Sequence, residues 1–375
     1  MSAELAYVRT KDAQLLPPPA GVTGPVAWVK NNLFATPFGS AMTVIMGGLL
    51  AMVIWSLVRW ALIDAVWSSP GREACAVEGA GACWPFAKVK FLQWIYGLYP
   101  ITERWRINVC FVLVVLGLAP MLMPSAPYKL WNALYLLIVF PIAAFFLLGG
   151  GVFGLPVVET ASWGGLTLTL VISVTGIVAS LPLGILLALG RRSDMPVVST
   201  LSAIFIEVVR GVPLIVVLFM ASVLFPLFLP PGMNFDKLLR ALVGIALFSS
   251  AYMAEVVRGG LQAIPKGQYE AAKALGLSYW KMMVLIILPQ ALKIVIPGIV
   301  NSFISLFKDT TLVAIIGQFD LLGIVLLSFQ DPKWASPQTP NTGYFALAVI
   351  YWLFCFGMSR YSIYTERRLN TGHKR

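Results

Sequence analysis

The sequence predicts an all-α polytopic membrane protein of about eight transmembrane helices, and three observations carry that reading. Of the 375 residues, 59% are hydrophobic and 11% charged, where soluble domains carry about 25% charged residues, and the mean hydropathy is +0.84. The apolar residues fall in runs close to the ~20 residues an α-helix needs to cross a bilayer. Several runs contain Pro or Gly, which a bilayer tolerates where neighbouring protein or a water-lined cavity satisfies the freed backbone groups. The formal net charge of +11 then reads as basic loops flanking the spans, with no nucleic-acid partner implied.

Residues 1 to 37, with Pro17, Pro18, Pro19, Gly21 and Gly24, lack the regions of a signal peptide and read as a mostly flexible tail. Apolar runs follow at about 40 to 62, 107 to 124, 130 to 150, 163 to 190, 204 to 230, 239 to 257, 290 to 318 and 343 to 361. Pro141 falls in the third, Pro182 in the fourth, Gly211 and Pro213 in the fifth, and Pro297 and Gly298 in the seventh. Arg210 and Lys308 interrupt the fifth and seventh. The chain divides accordingly into the tail, a three-span extension over residues 38–158 with a long loop at about 63–106, five spans over 159–368, and a short tail at 369–375.

Eight spans place both termini on one side. Seventeen of the 27 Lys and Arg lie on that side; of the other ten, six sit in the long loop between Arg59 and Arg106. Charge bias weakens with loop length, so the short loops decide, and both ends are assigned to the cytoplasm. The loop at 63–106 then lies outside. Its Trp67, Trp84, Trp94, Tyr96, Tyr99 and Trp105 read as an interfacial aromatic belt, with contact to an external protein as the other reading. Cys75 and Cys83 in that loop fit no zinc pattern and can close a small disulfide if it faces an oxidising compartment. Cys110 and Cys355 fall in apolar runs.

The composition also limits the chemistry. The one histidine, His373, lies three residues from the end, so metal sites and nucleophile systems built on His within the membrane body are excluded. The sequence has no GxxxxGK[ST] phosphate loop, so nucleotide-driven work falls to another chain.

The most informative polar segment is the loop at 258–290. Pro265 and Gly267 open it, Glu270, Ala271, Ala272 and Leu275 form a short helix, and Gly276 suits a left-handed terminator. Ser278 is placed to cap a second helix carrying Tyr279, Trp280 and Lys281, and the chain re-enters the bilayer near Pro289. Small Ala271 and Ala272 allow close approach, while Leu275, Leu277, Tyr279 and Trp280 offer an apolar surface to a partner's groove. The alternative is an amphipathic loop lying on lipid headgroups.

Glu270, Ala271, Ala272, then Gly276 after three residues, Ile286 after nine more, and Leu288-Pro289 after one resemble the EAA signature of membrane permeases of bacterial binding-protein-dependent ABC importers. Val209 to Pro213, Ala251 to Glu255 with Arg258-Gly259-Gly260, Lys266-Gly267-Gln268 and Phe307 to Leu312 are similar to the polar amino-acid permeases within that family, with Thr311 where Ser is frequent. The three-span extension resembles the larger permease of general L-amino-acid importers. The resemblance covers about residues 160 to 368 and implies a type I permease core and a chain that is not itself an enzyme. It implies no cofactor on this chain and ATP with Mg on the partner. The implied partners are two ATPase subunits docked on Glu270, Ala271, Ala272, Leu275, Gly276, Leu277, Tyr279 and Trp280, a second homologous permease in a heterodimer, a periplasmic amino-acid-binding protein, and the lipid bilayer. The implied location is the bacterial inner membrane. The alternatives are a partner permease without its own substrate cavity, and an ATP-independent channel or facilitator.

An amino-acid zwitterion crossing a low-dielectric region needs a cation or helix N-terminus for its carboxylate and an anion or carbonyls for its ammonium. Ionisable residues within spans are therefore candidates. Lys308 and Asp309, beside Ser305, Thr310 and Thr311, form the candidate substrate pathway, with Asp309 as ammonium partner and Ser305 or Thr310 as hydrogen-bonding neighbours. A purely structural role is the alternative, because adjacent helical residues point about 100° apart. Glu255 and Arg258, three apart, read as a structural ion pair. Glu207 and Arg210 have the same spacing. Thr167, Thr169, Ser173 and Thr175 either line a path or bond their own helix backbone.

Overall fold

The structure, a computed structural model, describes residues 24–369 except 124, 125, 231 and 234. The expected tails at 1–23 and 370–375, His373 among them, lie outside the described residues. Two units divide the chain: Met1–Ala65 with Gly79–Ala82, and Val66–Glu78 with Cys83–Arg375.

In the first unit, α1 (Pro25–Leu33) is helical where the whole segment to residue 37 was expected as a flexible tail. Pro25 opens it at a position whose missing N–H has no intrahelical acceptor, and Lys30 lies in its last turn, where the helix dipole favours a cation. Thr36 caps α2 (Pro37–Ile63), its Oγ1 accepting from Gly39 N at 3.0 Å. The Thr43 hydroxyl donates to Leu33 O at 2.8 Å and joins the two helices. At the far end Arg59 pairs with Asp64 at 2.8 Å, and residues 79–82 return there, with Gly81 N donating to Asp64 O at 2.7 Å.

The second unit holds α3 (Trp84–Tyr96), α4 (Ile101–Leu122), α5 (Lys129–Gly149), α6 (Gly165–Arg191), α7 (Pro196–Gly211), α8 (Leu214–Phe228), α9 (Lys237–Ala263), α10 (Lys266–Ala274), α11 (residues 279–294), α12 (Ile296–Ile316), α13 (Leu321–Ser328) and α14 (Gln338–Leu369). Seven helices among the described residues are long and apolar enough to cross a membrane, or eight if α7 and α8 count as one bent span. The all-α polytopic expectation therefore holds.

Backbone chemistry explains where the spans differ from their expected bounds. The fifth run was expected over 204–230; it begins at Pro196 and bends by 103° between α7 and α8. Pro213 forces Val212 out of the helical region (φ −106°, ψ 134°). The seventh run, expected over 290–318, breaks at Val295 (φ −100°, ψ 10°), with Pro297 in the first turn of α12. Pro182, by contrast, lies inside an unbroken α6. Pro141 follows a widened turn at Tyr135–Val139, and α5 continues through it. The fourth span matches its expected run closely, and α9 and α14 extend past theirs.

The loop at 63–106 departs most from expectation. It contains α3, which packs against α6, α13 and α14. Trp94 and Tyr99 are buried instead of sitting in an interfacial belt: Trp94 Nε1 donates to Ser328 Oγ at 3.2 Å, and the Tyr99 hydroxyl donates to Leu148 O at 2.7 Å. Trp67 and Trp105 are exposed. Cys75 and Cys83 are bonded to each other and buried. Cys83 N also donates to Thr342 Oγ1 of α14 at 2.8 Å. Lys90 pairs with Asp331 at 2.6 Å and holds that carboxyl below the usual range. The Tyr99 bond ties the loop to α5, and the others tie it to α13, α14 and the segment between them.

Helix α13 follows the turn at 317–320 and was not anticipated. Its eight residues span about 12 Å at 1.5 Å each, too short to cross a bilayer. Asp320 caps it, Oδ1 accepting from Gly323 N at 2.9 Å, while Oδ2 accepts from the Tyr351 hydroxyl at 3.2 Å. Gly164 and Gly165 pair with Phe319 and Asp320 as a short parallel bridge at the start of α6.

The centre of the unit is the long contact of α6 with α9. A Cβ on Gly184 would stand 2.7 Å from the Met253 side chain, so glycine is what lets these helices approach. Gly165 has φ +63°, and a Cβ there would meet the Trp94 carbonyl oxygen at 2.3 Å. Backbone strain and this clash together predict that Gly165→Ala costs at least about 2 kcal/mol, read as a lower melting temperature of the purified protein. The disulfide gives a second prediction. Denatured, unreduced protein will take up alkylating reagent at Cys110 and Cys355, and reduction will raise the count from two to four.

Candidate functional site

Helix α10 and the start of α11 form a helical hairpin after α9. Pro265 precedes the first helical residue, and Gly276 (φ +71°) ends α10. Gly276 N donates to Lys273 O at 2.9 Å and Leu277 N to Ala272 O at 3.2 Å, the paired bonds of a Schellman terminator. The expected left-handed turn is therefore present. Ser278 occupies the N-cap position of α11, but its side chain makes no capping bond; its carbonyl accepts from Met282 N at 2.9 Å. The second helix thus starts where expected, on backbone bonding alone.

The hairpin's two faces differ. On the inner face Ala272 is buried, and the Tyr269 hydroxyl donates to Leu261 O and receives Arg192 Nη1, each at 3.1 Å. Gln290 Nε2 donates to Gln268 Oε1 at 3.3 Å and to Ile286 O at 2.8 Å. Leu277 is half-buried against the same core. The outer face presents Glu270, Ala271, Leu275 (75% exposed), Tyr279 and Trp280 (61% exposed). The Tyr279 and Trp280 rings meet edge to face at 5.4 Å. Burial pushes the Tyr279 hydroxyl above its ordinary pKa, with nearby Arg192 opposing. The hairpin is thus fastened on one side and leaves large apolar groups uncovered on the other, the kind of surface a partner's groove can take.

Directly behind it lies a charge cluster. Glu255 Oε2 accepts from Arg258 Nη2 at 2.5 Å and Nε at 3.0 Å, so the expected pair forms. Two further arginines join it: Arg191 Nη1 reaches Glu255 Oε1 at 3.0 Å, and Arg210 Nη1 lies 3.7 Å from Oε2. Glu207 pairs with Arg191 at 2.8 Å. Its i,i+3 spacing to Arg210 had suggested that pairing, but Arg210 turns to α9 and stacks over Tyr252 at 5.6 Å. Arg191 and Arg192 were counted only as topology charges; two arginines closing a span beside a polar loop were the available signal for this role. The cluster joins the ends of α6, α7 and α9 where the chain enters the hairpin.

The candidate pathway residues separate into two faces of α12. Ser305, Lys308 and Asp309, at i, i+3 and i+4, share one face; Ser305 and Lys308 are exposed and Asp309 half-buried. Thr310 is buried on another face, its hydroxyl donating to Phe307 O at 2.9 Å. Thr311 bonds Lys308 O at 3.0 Å. On α6, Thr167 donates to Ile95 O at 2.8 Å, Thr169 to Gly165 O at 3.2 Å and Ser173 to Thr169 O at 2.8 Å. Those three hydroxyls serve the backbone.

Residues 180–371 match the family described as the inner membrane component of binding-protein-dependent transport systems. This chain belongs to that family. The matched region runs from the middle of α6 into the end of the chain and includes the hairpin and the charge cluster. Over 92% of its length the chain is 53% identical to the inner membrane amino-acid ABC transporter permease protein YhdY of Escherichia coli (strain K12), covering 94% of that protein. It is 42% identical, over 99% of its length and the whole of the relative, to the glutamate/glutamine/aspartate/asparagine transport system permease protein BztC of Rhodobacter capsulatus. That alignment takes in the spans before Gly165. A crystal structure of an amino acid ABC transporter with histidines is 31% identical over 54% of this chain and 92% of that chain, with a TM-score of 0.48.

Removing the charge at the cluster's centre tests its role. Glu255→Gln leaves three guanidinium groups facing one another, a loss of roughly 1–3 kcal/mol for partly exposed groups. A marked drop in melting temperature is expected. Glu207→Gln, which touches only Arg191, will shift it little.

Proposed function

We propose that this chain is the permease subunit of an ABC importer that carries polar L-amino acids across the bacterial inner membrane, driven by ATP hydrolysis on separate subunits. The observation that carries this reading is the hairpin of α10 and α11: held from behind by Ala272, Tyr269 and Gln268, it turns Glu270, Ala271, Leu275, Tyr279 and Trp280 outward. This is the form a transmission element takes, rigid towards its own protein and apolar towards its partner. The amino-acid character rests on relatives named for amino-acid transport along nearly the full chain.

In this reading residues 159–368 are the permease core, and residues 38–158 are an extension with three spans. Two ATPase subunits dock in the cytoplasm, one on this hairpin and one on a second, homologous permease, while a periplasmic binding protein delivers substrate. Both termini are cytoplasmic, and the disulfide-closed loop faces the periplasm, which favours a lasting disulfide. ATP with Mg belongs to the ATPase. Movement of the hairpin passes through the arginines on Glu255 to the ends of α6, α7 and α9, and so to the spans that line the path. Ser305, Lys308 and Asp309 face that path, with Asp309 receiving the ammonium group.

The test is reconstitution of the complex in vesicles with labelled amino acid outside. Uptake is expected only with ATP and liganded binding protein together. Leu275→Asp combined with Trp280→Asp, both on the exposed face and outside the core, will leave the chain in the membrane but abolish co-purification of the ATPase. Undiminished uptake without any ATPase subunit would mean a channel or facilitator.

A further inference from the structure

At the end of α9 opposite the hairpin, about 40 Å away along 27 helical residues, a second polar site stands inside the core region. Arg240 lies in the first turn of α9. Its Nη1 donates to the Ser222 carbonyl at 2.5 Å. No carboxylate pairs with it among the described residues, and its Nε is buried without a hydrogen-bond partner. The acid next to it, Asp236, is committed elsewhere: Oδ1 accepts from Leu239 N at 3.1 Å and Oδ2 from the Thr160 hydroxyl at 2.5 Å. Lys237, on the same turn, has its Nζ 3.9 Å from where a Cβ on Gly317 would stand. Two cations therefore occupy a helix N-terminus, where the dipole favours an anion.

Two further groups point to a ligand. Ser222 is 6% exposed and Gln318 3% exposed, and Ser222 Oγ and Gln318 Oε1 are both buried without a partner. Ser222 is the residue whose carbonyl holds Arg240, and Gln318 follows the glycine beside Lys237. Buried polar atoms are almost always paired, and leaving them unpaired is costly. A guanidinium at a helix N-terminus, a hydroxyl on the residue whose carbonyl it holds and an amide oxygen one residue past the glycine beside Lys237 are the groups a zwitterion requires: donors for its carboxylate and an acceptor for its ammonium. An anchoring role for Arg240 alone would not explain the unpaired groups on two neighbouring elements.

We propose that Arg240 and Ser222 receive the carboxylate of the transported amino acid at the α9 N-terminal end of the path, with Gln318 Oε1 accepting from its ammonium group there before Asp309 receives it further along. This rests on the amino-acid importer reading above. Because the α-carboxylate is common to all amino acids, the site acts on the class of substrate and leaves the choice of side chain to other groups. The headgroup of a net-anionic lipid would satisfy the same cations, and the test separates the two.

The complex is reconstituted with its ATPase and saturated with liganded binding protein, and uptake and ATP hydrolysis are measured together. Arg240→Gln is expected to lower uptake at least tenfold while ATP hydrolysis stays within about twofold of wild type, so that more ATP is spent per amino acid moved. Arg240→Lys will keep uptake within about threefold, and Ser222→Ala will fall between. Wild-type uptake by Arg240→Gln overturns the proposal. So does a parallel loss of uptake and hydrolysis that lysine fails to rescue, which marks Arg240 as a structural anchor. Repeating the wild-type assay in purely zwitterionic lipid gives the other arm: if uptake drops to the Arg240→Gln level, the site holds an anionic lipid headgroup and the proposal fails. A wild-type complex that hydrolyses ATP yet takes up no amino acid overturns the importer reading itself, and this proposal with it.

Discussion

Three guanidinium groups from three helices converge on the carboxylate of Glu255, and the arrangement of the hairpin and of the bent span depends on it. Arg191 ends α6, Arg210 ends α7 just before the 103° bend, and Arg258 lies a turn after Glu255 on α9. Without an anion between them these groups would repel one another in a region of reduced dielectric. With it, one side chain fixes three helix ends at the point where the chain leaves for α10. Ionisable groups at this depth are costly unless paired, so their presence marks the place where the protein needs a shared, definite position of several helices.

The hairpin extends the same logic outward. The Schellman bonds at Gly276 stop α10 after nine residues, and the tight turn sets α11 beside it. Ala272 faces the core because only a small side chain fits between the hairpin and the ends of the spans. Leu275, the residue before Gly276, and Trp280, four residues after it, are left outside. The inner face is thus bonded to Leu261 and Arg192 through Tyr269, and the outer face is left uncovered. Apolar groups this exposed in an aqueous loop are a liability unless they are covered.

The opposite end is stabilised differently. There α3 is wedged against α6, α13 and α14, with the Cys75–Cys83 bond, the Cys83 amide on Thr342 and the Trp94 indole on Ser328. Glycines make the wedge possible, since Gly165 brings the start of α6 into contact with the Trp94 carbonyl. A segment lying before the five core spans in sequence is therefore part of their packing.

Local chemistry was legible in the sequence because its causes are local. The apolar runs specify spans through length alone, Gly276 specifies a left-handed turn through its missing Cβ, Pro213 specifies a break through its ring, and the spacing from Glu270 to Pro289 specifies the hairpin and the family. Glu255 with Arg258 was readable too, since one helical turn brings them together. What the sequence could not determine were partners distant along the chain: Arg191 against Glu207 and Glu255, Trp94 against Ser328, Cys83 against Thr342, and the burial of α3 where its aromatics alone read as an interfacial belt. Even within one helix the fate of a hydroxyl was undecided, since Thr310 turns into the core and Ser305 away from it. These were settled by tertiary structure, for the physical reason that a charge or a ring takes whichever partner packing brings within reach, and packing is a property of all the helices at once.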